Sequence, residues 1–396
     1  MSAQPIYLNH LGLVCSMGGD AETVRQRLFS VGERCLTRTD HFTPGRPLPL
    51  GMVNSPLPNL ADGLSQYHPL ELTRTNQLLA AAMEQIQTAF DQAREGIDPL
   101  RIGIILGTST SGIAEGENAI AHHQRHQQLP EGFDYRQQEM ANPAAALARW
   151  QNTEGPAYVV STACSSGAKA LASARRLLRM GICDLVIAGG VDSLSKLTVH
   201  GFSALESVSS QPCHPFSCNR NGINIGEGAA LFLLSREPGP VMLSGVGEGS
   251  DAHHISAPDP AGRGAIHVMT AALRDARLGA EAIGYVNLHG TATLQNDKME
   301  SLAVNQVLGS STPCSSTKGH TGHTLGAAGA IEAAFCWLTL TDPEQRLPVH
   351  PWDGEADPEL VPIRLVDHPL SSTTAAVMSN SFAFGGNNIS LILERA

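Results

Sequence analysis

The stretch from Val159 to Lys169, Val-Val-Ser-Thr-Ala-Cys-Ser-Ser-Gly-Ala-Lys, limits what this chain can become more than any other. A β-favouring run over residues 157–160 stops at small residues. A cysteine follows, and an Ala-rich run over 167–180 then reads as a helix. The pattern is a strand, a tight turn and a helix start, with Cys164 at the corner. Unpaired N–H groups and the helix dipole would favour a thiolate there, and the thiolate is the nucleophilic form of cysteine. The competing reading is a buried structural cysteine, since free Cys is among the most buried residue types.

Along the rest of the chain, apolar runs alternate with helical ones. Residues 102–107 and 184–192 lack a polar face, as in a sheet covered on both sides. Further strands are expected over 6–14, 229–235, 241–246, 285–288, 375–378 and 389–393. Helices are expected over 20–31, opened by an acidic cap, and over 70–93, 264–277, 297–308 and 325–341. Residues 32–67, rich in Pro, Gly and polar side chains, read as an irregular surface excursion, and the polar run 122–128 as a loop. The alternation implies an α/β fold with a largely parallel sheet. Residues 161–180 and 316–338 share one plan, a polar loop of small residues followed by a small-residue helix. That hints at two similar halves, 1–237 and 238–396, with a seam near residue 238.

Composition removes several function classes. With 396 residues, 42% hydrophobic and 16% charged, the chain has ample core for about two or three domain-sized units. A net charge of −11 argues against general affinity for nucleic acid. Eight scattered cysteines without a CxxC pair fit a reducing cytosol. No basic segment precedes an apolar core at the N-terminus, and no run of about 18 apolar residues occurs, so neither a secretory signal nor a membrane span is expected.

Three more stretches carry chemistry: His289-Gly-Thr-Ala-Thr-Leu-Gln-Asn-Asp297, Ser316-Thr-Lys-Gly-His-Thr-Gly-His323 running on to Glu332, and Ser379-Asn-Ser-Phe-Ala-Phe384-Gly-Gly-Asn-Asn388. His289 ends an apolar strand, the usual place for catalytic groups in an α/β sheet, and His323 stands just before a helix. A lone histidine is more often structural. Two of them, with a helix-start cysteine on the same sheet, point to a joint site.

In chain order, these four stretches resemble the signature segments of the elongating β-ketoacyl-[acyl-carrier-protein] synthases of fatty acid and polyketide synthesis. The resemblance covers nearly the whole chain, including the spacing of five from Lys318 to His323. It implies a thiolase-like, five-layered α-β-α-β-α fold of two duplicated halves, usually dimeric, with no cofactor and no metal. It implies that Cys164 accepts an acyl group from a carrier-protein thioester, within an oxyanion hole formed by the N–H groups of Cys164 and Phe384. His289 and His323 would stabilise the enolate left by decarboxylation of malonyl-carrier protein. Lys318 and Glu332 would form a buried pair that orients them, and Asp297 would tie down the loop after His289. Thr291 and Thr293 would bind the pantetheine arm, Phe384 would gate the acyl pocket, and Thr110, Ser111 and Ile113 would shape it. Asp251 and His254 match a loop near the tunnel mouth.

The departures from the family lean towards a specialised aryl polyene or polyketide-like pathway. Ala383 replaces the usual glycine between the two phenylalanines and would strain the turn if its φ were positive. Arg220-Asn221-Gly222 replaces Arg-Asp-Gly. Both this chain and acyl carrier proteins are acidic, so docking needs a local basic patch, with Arg74, Arg125, Arg136 and Arg220 as candidates. The chain is expected to act as a homodimer or as a heterodimer with a chain-length-factor paralogue, in the cytoplasm. A thiolase is disfavoured because residues 384–388 lack a second cysteine. An initiating synthase is disfavoured because two histidines and Lys318 stand where it has His and Asn. A non-catalytic chain-length partner would lack Cys164. Cys213, His214 and Cys218 lack a clear fourth zinc ligand, and Gly245-x-Gly247-x-Gly249 reads as a strand-end turn rather than a nucleotide loop.

Overall fold

The computed structural model describes residues 4–32, 34–61 and 68–396. In chain order the strands are β1 Tyr7–Cys15, β2 Thr37–Thr39, β3 Leu48–Leu50, β4 Ile102–Gly107, β5 Ala157–Val160, β6 Leu185–Asp192, β7 Gly228–Ser235, β8 Val241–Ser250, β9 Ile283–Asn287, β10 Pro313–Ser315, β11 Arg364–Leu365, β12 Ala376–Phe382 and β13 Asn387–Arg395. Eleven of them form one sheet in the order β11-β10-β9-β12-β13-β8-β1-β7-β6-β4-β5.

One strand order occurs twice. From one side, β5-β4-β6-β7-β1 places the third, second, fourth, fifth and first sheet strands of the N-terminal group. From the other side, β10-β9-β12-β13-β8 does the same for the C-terminal group, with β11 added outside β10. The groups meet where Tyr7 and Leu8 pair with Met242 and Val241. Within each group the pairing is mixed. β4 runs parallel to β5 and β6, and β9 parallel to β10 and β12. The remaining pairs in the middle of the sheet are antiparallel. The largely parallel expectation fails there because a link as short as residues 383–386, between β12 and β13, cannot make a parallel crossover.

The helices are α1 Ala21–Leu28, α2 Arg74–Ala93, α3 Ile113–His126, α4 Asn142–Trp150, α5 Ser166–Arg179, α6 Lys196–Ala204, α7 Arg263–Ala276, α8 Leu294–Leu308, the short α9 Lys318–Thr321 and α10 Ala328–Leu340. α2 and α4 cover the outer face of the N-terminal strands through Leu78, Phe90 and Leu147 against Ile104 and Ile187. α7 and α8 cover the outer face of the C-terminal strands through Val268 and Met299 against Val286 and Met378. Between the two sets of strands lie α5 and α10, with Leu171 and Phe335 packed among Ile105, Phe232 and Leu391. The result is five layers, α-β-α-β-α. Successive β4 residues face opposite layers, Ile104 outward and Ile105 inward, which explains its unbroken apolar sequence.

Small residues set the central spacing. A Cβ on Gly167 of α5 would lie 2.8 Å from the Ala330 nitrogen of α10. The glycine series 245, 247, 249 has a related cause, and here the expectation of a turn is corrected. All three lie inside β8, opposite Ile392, Ser390 and Asn388 of β13. They recur with the strand's period of two on the face that α7 covers, and a Cβ on Gly247 would meet the Val268 carbonyl oxygen at 1.9 Å.

Two other expectations change. The segment 32–67 is not wholly irregular, because β2 and β3 form an antiparallel pair with Leu48 and Leu50 fully buried. Its stretch 62–67 lies outside the described residues. The run 122–128 is not a loop. α3 continues to His126 and ends where Gln127 turns left-handed, φ 58°. Polar side chains on an exposed turn do not break a helix that contains no Gly or Pro there. Among the described residues, no helix is long and apolar enough to cross a membrane.

Candidate active site

The five residues between β5 and α5 form a strained corner. Ala163 has φ 52°, a left-handed conformation that costs a residue with a Cβ. Neighbouring hydroxyls hold it: Ser166 Oγ accepts from the Thr162 N–H at 2.9 Å and donates to the Ala163 carbonyl at 2.6 Å, and Ser165 Oγ donates to the Thr162 carbonyl at 2.8 Å. The corner delivers Cys164, 5% exposed, to the floor of a cavity of about 540 Å³.

His289 follows the end of β9, and His323 stands between α9 and α10. Both line the same cavity and both are buried. Cys164 Sγ lies 3.0 Å from His323 Nε2, and the two imidazole centroids are 5.6 Å apart, edge to face. Lys318 sits behind them, fully buried. Its ammonium donates to the His289 carbonyl at 2.5 Å, is ion-paired with Glu332, and lies 3.4 Å from His289 Nδ1.

These contacts set the tautomers. The Leu325 N–H donates to His323 Nδ1 at 3.3 Å, and the Lys318 ammonium faces His289 Nδ1. Each ring therefore keeps its proton on Nε2. Burial, and then the Lys318 charge, hold both imidazoles well below the ordinary histidine range, so both are neutral donors at physiological pH. The ligand atoms of Cys164, His289 and His323 lie within 4.8 Å of one another. With an N–H on each Nε2, they suit an oxyanion better than a cation.

The expected resting thiolate is corrected. Burial pushes the Cys164 thiol up to about 11, opposed by the Lys318 charge and by the backbone N–H groups of Phe384 and Cys164 itself. Those N–H groups pull the right way, but burial of the sulfur outweighs them, so the resting group is a thiol. Glu332 is lifted to about 7 by burial, against the pull of Lys318.

Two buried acids that sequence reasoning did not single out complete the scaffold. Glu300 of α8 accepts the N–H groups of His289 and Gly290, each at 2.7 Å, and so fixes the strand end. Burial raises it to about 8 against those same bonds. Asp192, the last residue of β6, accepts from Thr108 Oγ1, the Ser109 N–H, and the Thr110 N–H and Oγ1 at 2.7–2.8 Å, and from the Ala327 N–H at 3.2 Å. It ties the loop after β4 to the start of α10. Its signal was an aspartate closing an otherwise apolar strand, a position that needs several donors.

The comparisons with known proteins agree with this geometry. Residues 40–238 match the N-terminal domain model of β-ketoacyl synthases, and residues 241–348 the C-terminal domain model. The chain is 31% identical over 360 residues to 3-oxoacyl-[acyl-carrier-protein] synthase 2 of Staphylococcus aureus, covering 85% of each. The chain belongs to the β-ketoacyl synthase family. It is also 37% identical over 262 residues to the mitochondrial 3-oxoacyl-[acyl-carrier-protein] synthase of Arabidopsis thaliana, a match that spans 56% of that relative. A chain in the solved complex of a ketosynthase (ApeO) with its chain length factor (ApeC) from Xenorhabdus doucetiae superposes with a TM-score of 0.93. It shares 45% identity, with 99% of this chain and 98% of that one covered. A β-ketoacyl synthase from Burkholderia phymatum gives a TM-score of 0.84 at 27% identity, covering 99% and 100%. The five layers are thus the thiolase-like fold of this family.

Against that family frame, the remaining expected residues divide. Thr291 and Thr293 line the cavity, their hydroxyls 3.0 Å apart. Asp297 is buried and accepts from the Phe216 N–H at 2.8 Å and the Ala292 N–H at 3.2 Å, and burial raises it to about 6. Phe384 is half-buried and its ring lies 5.8 Å from that of Phe202. The turn around it is latched from outside: the Gly385 N–H donates to the Ile255 carbonyl at 2.7 Å, and Asp251 accepts from Asn388 Nδ2 at 2.6 Å. His254 is exposed, and its Nδ1 accepts from the Ser256 and Ala257 N–H groups of its own turn.

Thr110 and Ile113 do not reach this cavity. The buried Asp192 draws Thr110 to itself, as described above. Ile113 opens α3 and lines a separate surface hollow with Ile120, Tyr135 and Leu197. Ser111 is likewise buried elsewhere, its hydroxyl donating to the Glu139 carbonyl at 2.8 Å. Ala383 has φ −91°, so the expected strain is absent; the positive φ falls on Gly385 and Gly386, at 80° and 74°. Of the basic candidates, Arg220 is buried and paired with Asp357, and Arg74 binds Glu227 at 2.7 Å and the Val53 carbonyl at 3.1 Å. Only Arg125 and Arg136 stand on the surface, and Arg136 is paired with Asp134.

Proposed function

We propose that this chain is the acyl-accepting ketosynthase of a carrier-protein pathway, and that Cys164, His289 and His323 carry its chemistry. The observation that carries the reading is one sulfur facing the Nε2 of a neutral histidine at 3.0 Å while two backbone N–H groups bear on it. The enzyme is an acyltransferase. In the first half-reaction the Cys164 sulfur attacks the carrier thioester, with the developing oxyanion held by the N–H groups of Cys164 and Phe384. The thiol proton leaves with the departing pantetheine thiol, so the exchange is balanced.

In the second half-reaction malonyl-carrier protein loses carbon dioxide, and its thioester oxygen takes up negative charge. The Nε2–H groups of His289 and His323 stabilise that enolate. Its carbon attacks the acyl-cysteine, the C–S bond breaks, and 3-oxoacyl-carrier protein leaves while the released cysteine thiolate takes up one proton from water to return to the resting thiol. Two buried neutral donors suit this step, because they neither protonate the carbanion nor repel Lys318. Lys318 orients His289 and Glu332 balances the ammonium. Thr291 and Thr293 bind the pantetheine arm, and Phe384 gates the pocket. The halves are 1–237, with the nucleophile, and 238–396, with the histidines.

The 45% identity to a chain of the ApeO–ApeC complex over nearly the full length supports a heterodimer with a chain-length-factor paralogue. We assign that pair to an aryl polyene or polyketide-like pathway in the cytoplasm. The direct test supplies acyl- and malonyl-carrier proteins to the purified chain, alone and with its paralogue, and follows 3-oxoacyl product by mass. Wild type should condense and Cys164→Ala should not. Product from the Cys164→Ala variant at the wild-type rate would refute the mechanism.

A further inference from the structure

The end of α3 carries a feature that the condensation does not use. His122 and His126 are four residues apart on one helix face, with ring centroids 4.4 Å apart and planes 39° from parallel. We propose that they form a surface site for a divalent transition-metal ion such as Ni²⁺, Cu²⁺ or Zn²⁺, separate from the Cys164 cavity.

Three observations support it. First, i,i+4 spacing is the helical arrangement in which two imidazoles can share one metal ion. Second, the His122 tautomer is already set for ligation. Its Nδ1 lies 2.9 Å from the Gln128 carbonyl oxygen, which can only accept. The proton is therefore on Nδ1 and the Nε2 lone pair is free. A ligating histidine usually donates its other N–H to a carbonyl or carboxylate in just this way. The left-handed Gln127 creates the contact, because its turn brings the Gln128 carbonyl back over the helix end. Third, the pair sits on the last turn, where the unpaired carbonyls make the helix terminus negative and favour a cation. His126 is exposed and His122 half-buried, so solvent can fill the other coordination positions. His41, an exposed histidine on the loop between β2 and β3, is the control.

The test uses the untagged full chain and equilibrium dialysis against Ni²⁺. Wild type should bind one equivalent more than His126→Ala at low micromolar metal. His122→Ala and His126→Ala should each weaken that equivalent at least about tenfold, and His41→Ala should leave it unchanged. Condensing activity should be equal in all three variants. Identical Ni²⁺ isotherms for wild type and His126→Ala would overturn the site, as would an equal loss in His41→Ala.

Discussion

The loop after β5 and the loop after β10 hold the same place in the two halves of the sheet. Each follows the third strand of its group, and each leads into one of the two small-residue helices of the central layer. Their chemistry differs. The first is a five-residue corner held by serine hydroxyls, and it presents one sulfur. The second is longer, contains α9, and presents His323 with Lys318 behind it. The second strands differ in the same sense. β4 ends in hydroxyls that satisfy the buried Asp192, whereas β9 ends in His289, whose backbone is fixed by Glu300. One group of strands carries a buried cysteine on a hydroxyl-held corner, and the other carries two buried histidines backed by the Lys318–Glu332 pair. The repeated strand order gives two matching openings, and different residues fill them.

That contrast can be broken from the charged side first. Lys318→Ala leaves Glu332 unpaired in the core and should cost about 3–5 kcal/mol in unfolding free energy, measured by denaturant titration. Lys318→Met with Glu332→Leu should recover most of that stability without restoring activity. Recovery of both would remove Lys318 from the mechanism. Next come the donors. His289→Ala and His323→Ala should each lower malonyl decarboxylation by about two to three orders of magnitude while slowing self-acylation less, by stopped-flow carbon dioxide release against intact mass. A loss confined to acylation would reassign them to the nucleophile's side.

On the neutral side, Asp192→Ala strands donors from two loops and should cost about 2–3 kcal/mol, with a fall in condensation as the start of α10 loosens. An unchanged melting curve would make Asp192 a bystander. The smallest effect concerns the resting sulfur. With the thiol raised to about 11, alkylation of Cys164 by iodoacetamide should climb as pH rises and still be climbing above pH 9. A plateau below pH 8 would mean a preformed thiolate and would reinstate the helix-start argument.

Much of this arrangement was legible in the sequence. The corner at Cys164, the two strand-end and pre-helix histidines and the Phe384 turn are local patterns, and the resemblance supplied their roles. What the sequence concealed depends on distant packing. Thr110 faces Asp192 rather than the acyl pocket because a buried carboxylate needs its hydroxyl, and that pairing spans 82 residues. Gly247 looked like a turn because its true neighbour, the Val268 carbonyl, lies on another element. Arg220 looked like a docking residue because Asp357 is 137 residues away. The raised thiol of Cys164 follows from burial, which a helix-start pattern does not report.

The central claim is that Cys164 becomes the acyl-enzyme. Intact-mass analysis of the purified chain, incubated with a panel of acyl-carrier thioesters and then digested, tests it most directly. One acyl adduct per chain, on the peptide containing Cys164 and lost in Cys164→Ala, is the predicted result. An adduct on another residue, or one that persists in Cys164→Ala, would contradict the account.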